Sequence, residues 1–272
     1  MAEYLGFCYG VKRAIKIARE NASGAGGTSC TLGPIIHNPQ MVERLREEGV
    51  GTVDTLAEMN EGTIIIRSHG VGPEVYAEAK QKGLHLVDAT CPHVRKAQLS
   101  AKALAEEGYK VVIIGEKKHP EVQSIFEWSN HSATIVETEE EAEAVDPCGK
   151  LGIVSQTTFS GRRFKEIVSK LLDKSREIKL ERTICTATDQ RQAAAMDLAS
   201  KVDLMFVIGG KNSANTSRLA QLCAERCKTY HIETAAELQP QWFDKIEKIG
   251  ITAGASTPDW IIEEVHKQCQ KK

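Results

Sequence analysis

Short, continuous apolar runs alternate along this chain with segments whose apolar residues recur at helical spacing. The runs are GTIIIRS (62–68), YKVVIIGE (109–116), GKLGIVSQ (149–156), VDLMFVIGG (202–210) and KIGITAGAS (248–256). A strand that is apolar at nearly every position is buried on both faces, the condition of a parallel sheet covered by helices. A helical pattern follows each run, at 72–83, 120–128, 161–174, 217–227 and 258–268. Pro73, Pro120 and Pro258 mark helix starts, where a missing N–H costs nothing. Strand–helix alternation predicts an α/β fold of crossover units with mostly parallel sheets. ETEEEAEAVDP (137–147) reads as a solvated acidic helix followed by a turn, and ASGAGG (22–27) as a short flexible loop.

Ligands in such sheets bind beyond the carboxyl ends of the strands, so the strand-to-helix loops carry the chemistry. In chain order they present Cys8, then His37 in IIHN, then His69 in RSHG. Next come Cys91 in DATCPHV, His119 and Glu121 in KKHPE, and Thr157 in SQTTFS. Last are Cys185 in RTICTATDQRQ, the GGKNSANTS loop and the TAGAST loop. One cysteine followed by two polar loops thus occurs three times, in segments of about 83, 94 and 88 residues. The pattern predicts three small α/β lobes, 1–90, 91–184 and 185–272, in a pseudo-threefold trefoil around a shared centre.

Composition narrows the function classes. The chain has 272 residues, 26% of them charged, and a net charge of −2, which gives no electrostatic case for nucleic acid. No apolar run approaches the roughly 20 residues that span a bilayer, and the N-terminus lacks the pattern of a signal peptide, so a cytoplasmic protein is expected. Eight cysteines without a Cys-x-x-Cys pair read there as reduced thiols or metal ligands.

Cys8, Cys91 and Cys185 each stand just before a predicted helix. A helix N-terminus presents free N–H groups and partial positive charge, which favours thiolate, the form that binds metal. Lys12, Arg13, Arg95, Lys96 and Arg191 follow closely. Three thiolates can hold a 4Fe-4S cluster with one iron lacking a protein ligand, whereas an electron carrier ordinarily uses four. Taken singly, each cysteine reads equally well as a small buried hydrophobe; the repeated position favours the cluster. Cys223 and Cys227, four apart, share a helix face and read as core, while Cys30, Cys148 and Cys269 have no motif around them.

The polar loops suggest an anion. His37 and His69 occupy matching strand-end loops. Ser213, Asn215, Thr216 and Ser217, with Lys211 beside them, and Ser256 with Thr257, stand near helix starts. Such groups serve as ordinary N-caps, and with two histidines they also suit a phosphate or diphosphate held without Mg²⁺. Glu121 is a candidate proton donor, its plainer role being a first-turn carboxylate that complements the helix dipole. Neither G-x-G-x-x-G nor a Walker motif is present.

The motifs GFCYGVKRAI, IIHN, SHGV, VDATCP, HPEV, SQTT, NSANTSRL and TAGAST resemble the IspH or LytB family of 4-hydroxy-3-methylbut-2-enyl diphosphate reductases over nearly the whole chain. The resemblance implies three lobes around a 4Fe-4S cluster ligated by Cys8, Cys91 and Cys185, which degrades toward 3Fe-4S in oxygen. It implies that His37, His69, His119, Ser213, Asn215 and Ser256 hold the diphosphate of a small allylic substrate. Glu121 would supply the proton and Thr157 would orient the substrate hydroxyl and a water; His119 stands beside them in the catalytic set. The implied reaction is a two-electron reductive dehydroxylation giving isopentenyl and dimethylallyl diphosphate, fed by an external ferredoxin or flavodoxin, in a monomer. Two departures stand out. Only MAEYL precedes GFC, so the family's first strand is expected to be short or missing, and Ala214 replaces a common second serine. Competing readings are a three-cysteine cluster enzyme of the quinolinate-synthase kind, a non-catalytic iron–sulfur sensor and a structural zinc protein. The last lacks paired cysteine spacing.

Overall fold

The computed structural model describes residues 1–22 and 27–271; the loop expected at 22–27 therefore falls, at 23–26, outside the described residues. The chain divides into two compact units. One comprises Met1–Lys12, Ile36–Glu43 and the chain from Thr186 on; the other comprises Arg13–Ile35 and Arg44–Cys185. Among the described residues no helix is long and apolar enough to cross a membrane.

Among the described residues three small sheets form, every pairing parallel. The larger unit holds β1 (Ser29–Leu32), β2 (Gly51–Val53), β3 (Thr63–Ile66) and β4 (His85–Asp88) in the order β2-β1-β3-β4. It also holds β5 (Lys110–Ile114), β6 (Thr134–Val136), β7 (Cys148–Ser155) and β8 (Ser175–Leu180) in the order β6-β5-β7-β8. The smaller unit holds β9 (Leu204–Ile208), β10 (Lys228–Ile232) and β11 (Ile249–Ala253) in the order β10-β9-β11. The helices are α1 (Tyr9–Glu20), α2 (Pro39–Glu47), α3 (Pro73–Gln81), α4 (Pro92–Glu106), α5 (Pro120–Trp128), α6 (Glu139–Glu143), α7 (Gly161–Leu171), α8 (Thr186–Ala199), α9 (Ala214–Ala224) and α10 (Asp259–Cys269).

The apolar runs behave as two-sided strands because successive side chains point to opposite faces. In β5 and β7, Val111, Ile113 and Val154 pack with Ala97, Ala101 and Leu104 of α4 and Val122 and Ile125 of α5. Val112, Ile114, Leu151 and Ile153 pack instead with Ala142 of α6 and Phe164, Ile167 and Leu171 of α7. Likewise Met205 and Val207 of β9 meet Ala195 and Ala199 of α8 and Leu219 of α9, while Leu204, Phe206 and Ile208 meet Ile261, Ile262 and Val265 of α10.

The strand order fixes where function can lie. After β5 the chain pairs β6 on one side, and after β7 it pairs β8 on the other, so β5 and β7 flank a topological switch point. The pairs β1/β3 and β9/β11 flank the equivalent points. Parallel neighbours end on the same side of a sheet, and the crevice at such a point is where ligands bind. The loops after these six strands are the ones carrying His37, His69, His119 with Glu121, Thr157, Ser213 with Asn215, and Ser256.

Local differences have local causes. Pro258 is the N-cap of α10, just outside its first turn, whereas Pro73 and Pro120 stand inside theirs. The helix expected at 217–227 starts at Ala214, because Ser213 caps it by accepting the Thr216 N–H. MAEYL forms no strand. Ala2 N–H donates to Ile251 O of β11 (2.8 Å), and Leu5 packs in the core of the third sheet, so the segment runs beside β11 on few backbone bonds.

The third sheet leans on one aromatic. Phe206 is fully buried and lies 5.7–6.2 Å from the rings of Tyr230, Trp242 and Phe243. Phe206→Ala should cost about 3–5 kcal/mol in urea unfolding; a loss below about 1 kcal/mol would contradict this packing.

Candidate active site

Each of the three motif cysteines occupies a helix N-terminus, as its position in the sequence suggested. Cys8 precedes α1 and its Sγ accepts the Val11 N–H (3.5 Å). Cys91 is the N-cap of α4, and Cys185 immediately precedes α8. A shared backbone contact accompanies them. Cys91 N–H donates to Ser68 O (2.9 Å), Cys185 N–H to Thr157 O (2.9 Å) and Cys8 N–H to Ala255 O (3.1 Å). In all three cases the acceptor belongs to the polar loop after the third strand, in chain order, of its sheet: β3, β7 or β11. Each cysteine is thereby tied to a loop bearing His69, Thr157 or Ser256.

The three thiols are half-buried and none forms a disulfide. Soft sulfur donors at helix N-termini, where the helix dipole is positive, are the right chemistry for an iron–sulfur group. The remaining cysteines differ. Burial pushes the thiols of Cys30, Cys227 and Cys269 up, and that of Cys223 up to about 12, so they persist as neutral core groups. Cys148 is tied by its own thiol to Lys150 O (3.4 Å).

Two of the basic residues near the cysteines bond the backbone beside them. Arg13 donates to Thr90 O (3.1 Å), the carbonyl just before Cys91. Arg191 donates to Gly6 O (2.9 Å), two residues before Cys8, and to Ala187 O (3.1 Å). Arg95 pairs with Asp88 and Tyr76. The guanidiniums of Arg13 and Arg191 therefore brace the backbone that presents the sulfurs. Gly6 needs its positive φ (+71°) here, and a Cβ would lie 3.1 Å from Asp259 Oδ1 and Ile262 Cδ1 of α10.

Glu121 meets Thr157 across the β5/β7 switch point. Thr157 N–H donates to Glu121 Oε1 (2.5 Å) and Thr157 Oγ1 to Oε2 (3.0 Å). Glu121 is 2% exposed. Burial pushes its carboxyl from the usual 4.5 up to about 7, the two Thr157 bonds oppose this, and the charge of Glu116 adds to it. Glu121 thus stands in the first turn of α5 as expected, but as a buried near-neutral acid. His119 caps the same helix, its Nδ1 accepting the Glu121 N–H (3.2 Å). That bond commits Nδ1 as an acceptor and leaves the neutral ring's proton on Nε2, so His119 presents a donor. His69 and His119 lie edge to face at 5.5 Å.

The smaller unit gathers the other polar residues. Ser256 Oγ donates to His37 O (3.2 Å), and a Cβ on Gly210 would lie 2.7 Å from that same carbonyl, so the two loops touch. Ser213 caps α9, and in the first turn of that helix Asn215 is buried with neither amide atom hydrogen-bonded to protein. An orphaned buried amide beside a helix N-terminus fits an anion that would complete it. Three neighbours drop out of the site. Lys211 pairs with Glu237 (2.7 Å), Ser217 Oγ donates to Lys211 O (3.2 Å), and Thr257 Oγ1 donates to Ile208 O (2.8 Å).

Sequence reasoning passed over Asn38, whose Oδ1 accepts the Met41 N–H (2.8 Å) and caps α2 beside His37. An Asn directly before a helix-starting Pro is the readable signal. It also passed over Gln98 and Ser124, helix-interior polar residues that no local pattern marks.

The family profile described as LytB protein matches residues 1–270. The chain is 49% identical over 272 residues to a Geotalea uraniireducens (strain Rf4) protein named 4-hydroxy-3-methylbut-2-enyl diphosphate reductase, covering 100% of this chain and 96% of that one. It is similar to a solved structure of (E)-4-hydroxy-3-methyl-but-2-enyl diphosphate reductase, described as the terminal enzyme of the non-mevalonate pathway. That match has a TM-score of 0.73, 47% identity and coverage of 100% and 98%. It is similar also to the Plasmodium falciparum E-1-hydroxy-2-methyl-but-2-enyl-4-diphosphate reductase, with a TM-score of 0.92, 31% identity and coverage of 97% and 85%.

Burial of Glu121 has a measurable sign. Its raised pKa means the folded protein pays nothing below about pH 4.5, an increasing penalty as pH rises toward about 7, and the full penalty above that. From pH 4.5 to 8.5, Glu121→Gln should therefore gain stability relative to the parent, by up to about 3 kcal/mol. Infrared spectra should show a protonated-carboxyl band that titrates near pH 7 and is absent from the variant. Complete loss of that band by pH 5 would contradict the assignment.

Proposed function

The chain belongs to the LytB family, and we propose on that footing that it is a 4-hydroxy-3-methylbut-2-enyl diphosphate reductase. Its substrate is a small allylic diphosphate. Two electrons and two protons enter, the allylic C–O bond breaks, water leaves, and isopentenyl or dimethylallyl diphosphate results. Family membership over the whole length displaces the quinolinate-synthase-like, sensor and zinc readings.

Cys8, Cys91 and Cys185 are the proposed ligands of a 4Fe-4S cluster, supported by their thiol chemistry and their common helix-N-terminal position. When bound, that cluster would supply the electrons and a Lewis-acidic iron for the substrate hydroxyl, with a ferredoxin or flavodoxin replenishing the electrons. Every other role falls to side chains of the chain itself. His37, His69, His119, Ser213, Asn215 and Ser256 hold the diphosphate through ring, hydroxyl and amide groups. A diphosphate so fixed brings its allylic end to a defined place, which replaces a bimolecular encounter by a positioned one.

Glu121 is the proton donor, and the hydrogen-bond pattern says which oxygen carries the proton. Thr157 N–H can only donate, so Oε1 is committed as an acceptor. The acidic proton therefore sits on Oε2, and Oε2–H donates to Thr157 Oγ1 when Glu121 is neutral. Thr157 can then turn its own proton toward the substrate hydroxyl. Proton passage from Glu121 through Thr157 moves no heavy atom, and burial keeps the donor loaded near neutral pH.

The observation that carries this reading is the buried Glu121 carboxyl clasped by Thr157 at the β5/β7 switch point. Anaerobic turnover with a chemical reductant tests it. Glu121→Gln should bind the diphosphate substrate within a few-fold of the parent yet lose turnover by about 100-fold or more. Near-normal turnover would remove Glu121 from the proton path.

A further inference from the structure

A hydrogen-bond junction behind the catalytic loops of the larger unit contains none of the reacting groups. Ser124 lies on α5, one turn after Glu121, and is 2% exposed. Its Oγ is 2.8 Å from the Glu121 main-chain carbonyl and 3.0 Å from the His69 carbonyl, so its single proton is shared between them. The same oxygen accepts from Gln98 Nε2 at 3.0 Å. Gln98 is fully buried on α4, the helix that Cys91 caps. A Cβ on Gly70, which has a φ of +70°, would lie 2.2 Å from Gln98 Nε2, so only glycine lets the His69 loop pass this close.

A bond from serine to the carbonyl three residues earlier is ordinary helix behaviour. The bond to His69 is different, since it joins positions 55 residues apart in the chain. One hydroxyl thus links the helix of Cys91, the loop of His69 and the first turn holding Glu121. We propose that Ser124 is a positioning residue that sets the register of His69 against Glu121, and so couples the hold on the diphosphate to the placement of the proton donor. This rests on the roles assigned to His69 and Glu121 above. Without the hydroxyl, the His69 carbonyl and the Gln98 amide would each lose a buried partner, a cost that local movement of the loop relieves. Small displacements in a positioned site are expensive in rate.

The test compares Ser124→Ala, Ser124→Thr and His69→Ala, each loaded anaerobically with iron and sulfide and normalised per bound iron. Ser124→Ala should lower kcat about tenfold and raise the inhibition constant of inorganic pyrophosphate several-fold. Ser124→Thr keeps the hydroxyl but adds a methyl to a packed site. It should melt at a lower temperature while holding kcat and the pyrophosphate constant within about twofold of the parent. Parental kcat and pyrophosphate inhibition in Ser124→Ala would overturn the proposal, as would equal impairment of the threonine variant. Pyrophosphate inhibition unchanged in His69→Ala would overturn it together with the role given to His69, whereas a response in that control leaves failure of the serine variants specific to Ser124.

Discussion

Parallel pairing of two strands at a switch point is the constraint on which the chemistry depends. Because β5 and β7 run side by side in the same direction, their loops leave the sheet at the same end. Glu121 and Thr157, 36 residues apart, can therefore form two hydrogen bonds to one carboxyl. An antiparallel neighbour would have sent one loop to the opposite end. The same pairing places the loops after β1 and β3, and those after β9 and β11, at common ends of their own sheets. The pairing is stabilised by two-sided burial, since each central strand sends alternate side chains into helices on both faces.

Burial then tunes the groups that the sheets position. Removing water penalises charge, and it does so to Glu121 and to Cys223 alike. For Glu121 the outcome is a carboxyl that titrates near pH 7, because the Thr157 hydrogen bonds limit the rise that burial causes. For Cys223, with no such counterpart, the outcome is an inert thiol. The motif cysteines stand apart from both, exposed in part and each at the start of a helix. Two of the neighbouring arginines, Arg13 and Arg191, clamp backbone carbonyls rather than serving only as nearby charge.

Much of this was legible in the chain. The five apolar runs are all central or paired strands of the three parallel sheets, because continuous burial leaves a plain hydrophobic signature. The cysteines were legible as helix starts for the same local reason that prolines and serines are. Roles arising from long-range contacts were not. Nothing around Ser124 distinguishes it from any helix-interior serine, and Gln98 reads as a surface residue until its burial is seen. MAEYL forms no strand, as expected, yet Ala2 N–H bonds Ile251 O of β11 and the Arg191 side chain bonds Gly6 O just after the segment, contacts that no local pattern announces.

The cluster proposed above, with Cys8, Cys91 and Cys185 as its protein ligands and one iron left for substrate, is open to direct measurement. Mössbauer spectra of anaerobically reconstituted protein, recorded with and without the allylic diphosphate, address it most directly. Four irons are expected, of which one changes its isomer shift and quadrupole splitting on substrate addition while the other three hold theirs. Failure to assemble a cluster, or a four-iron spectrum indifferent to substrate, would contradict it.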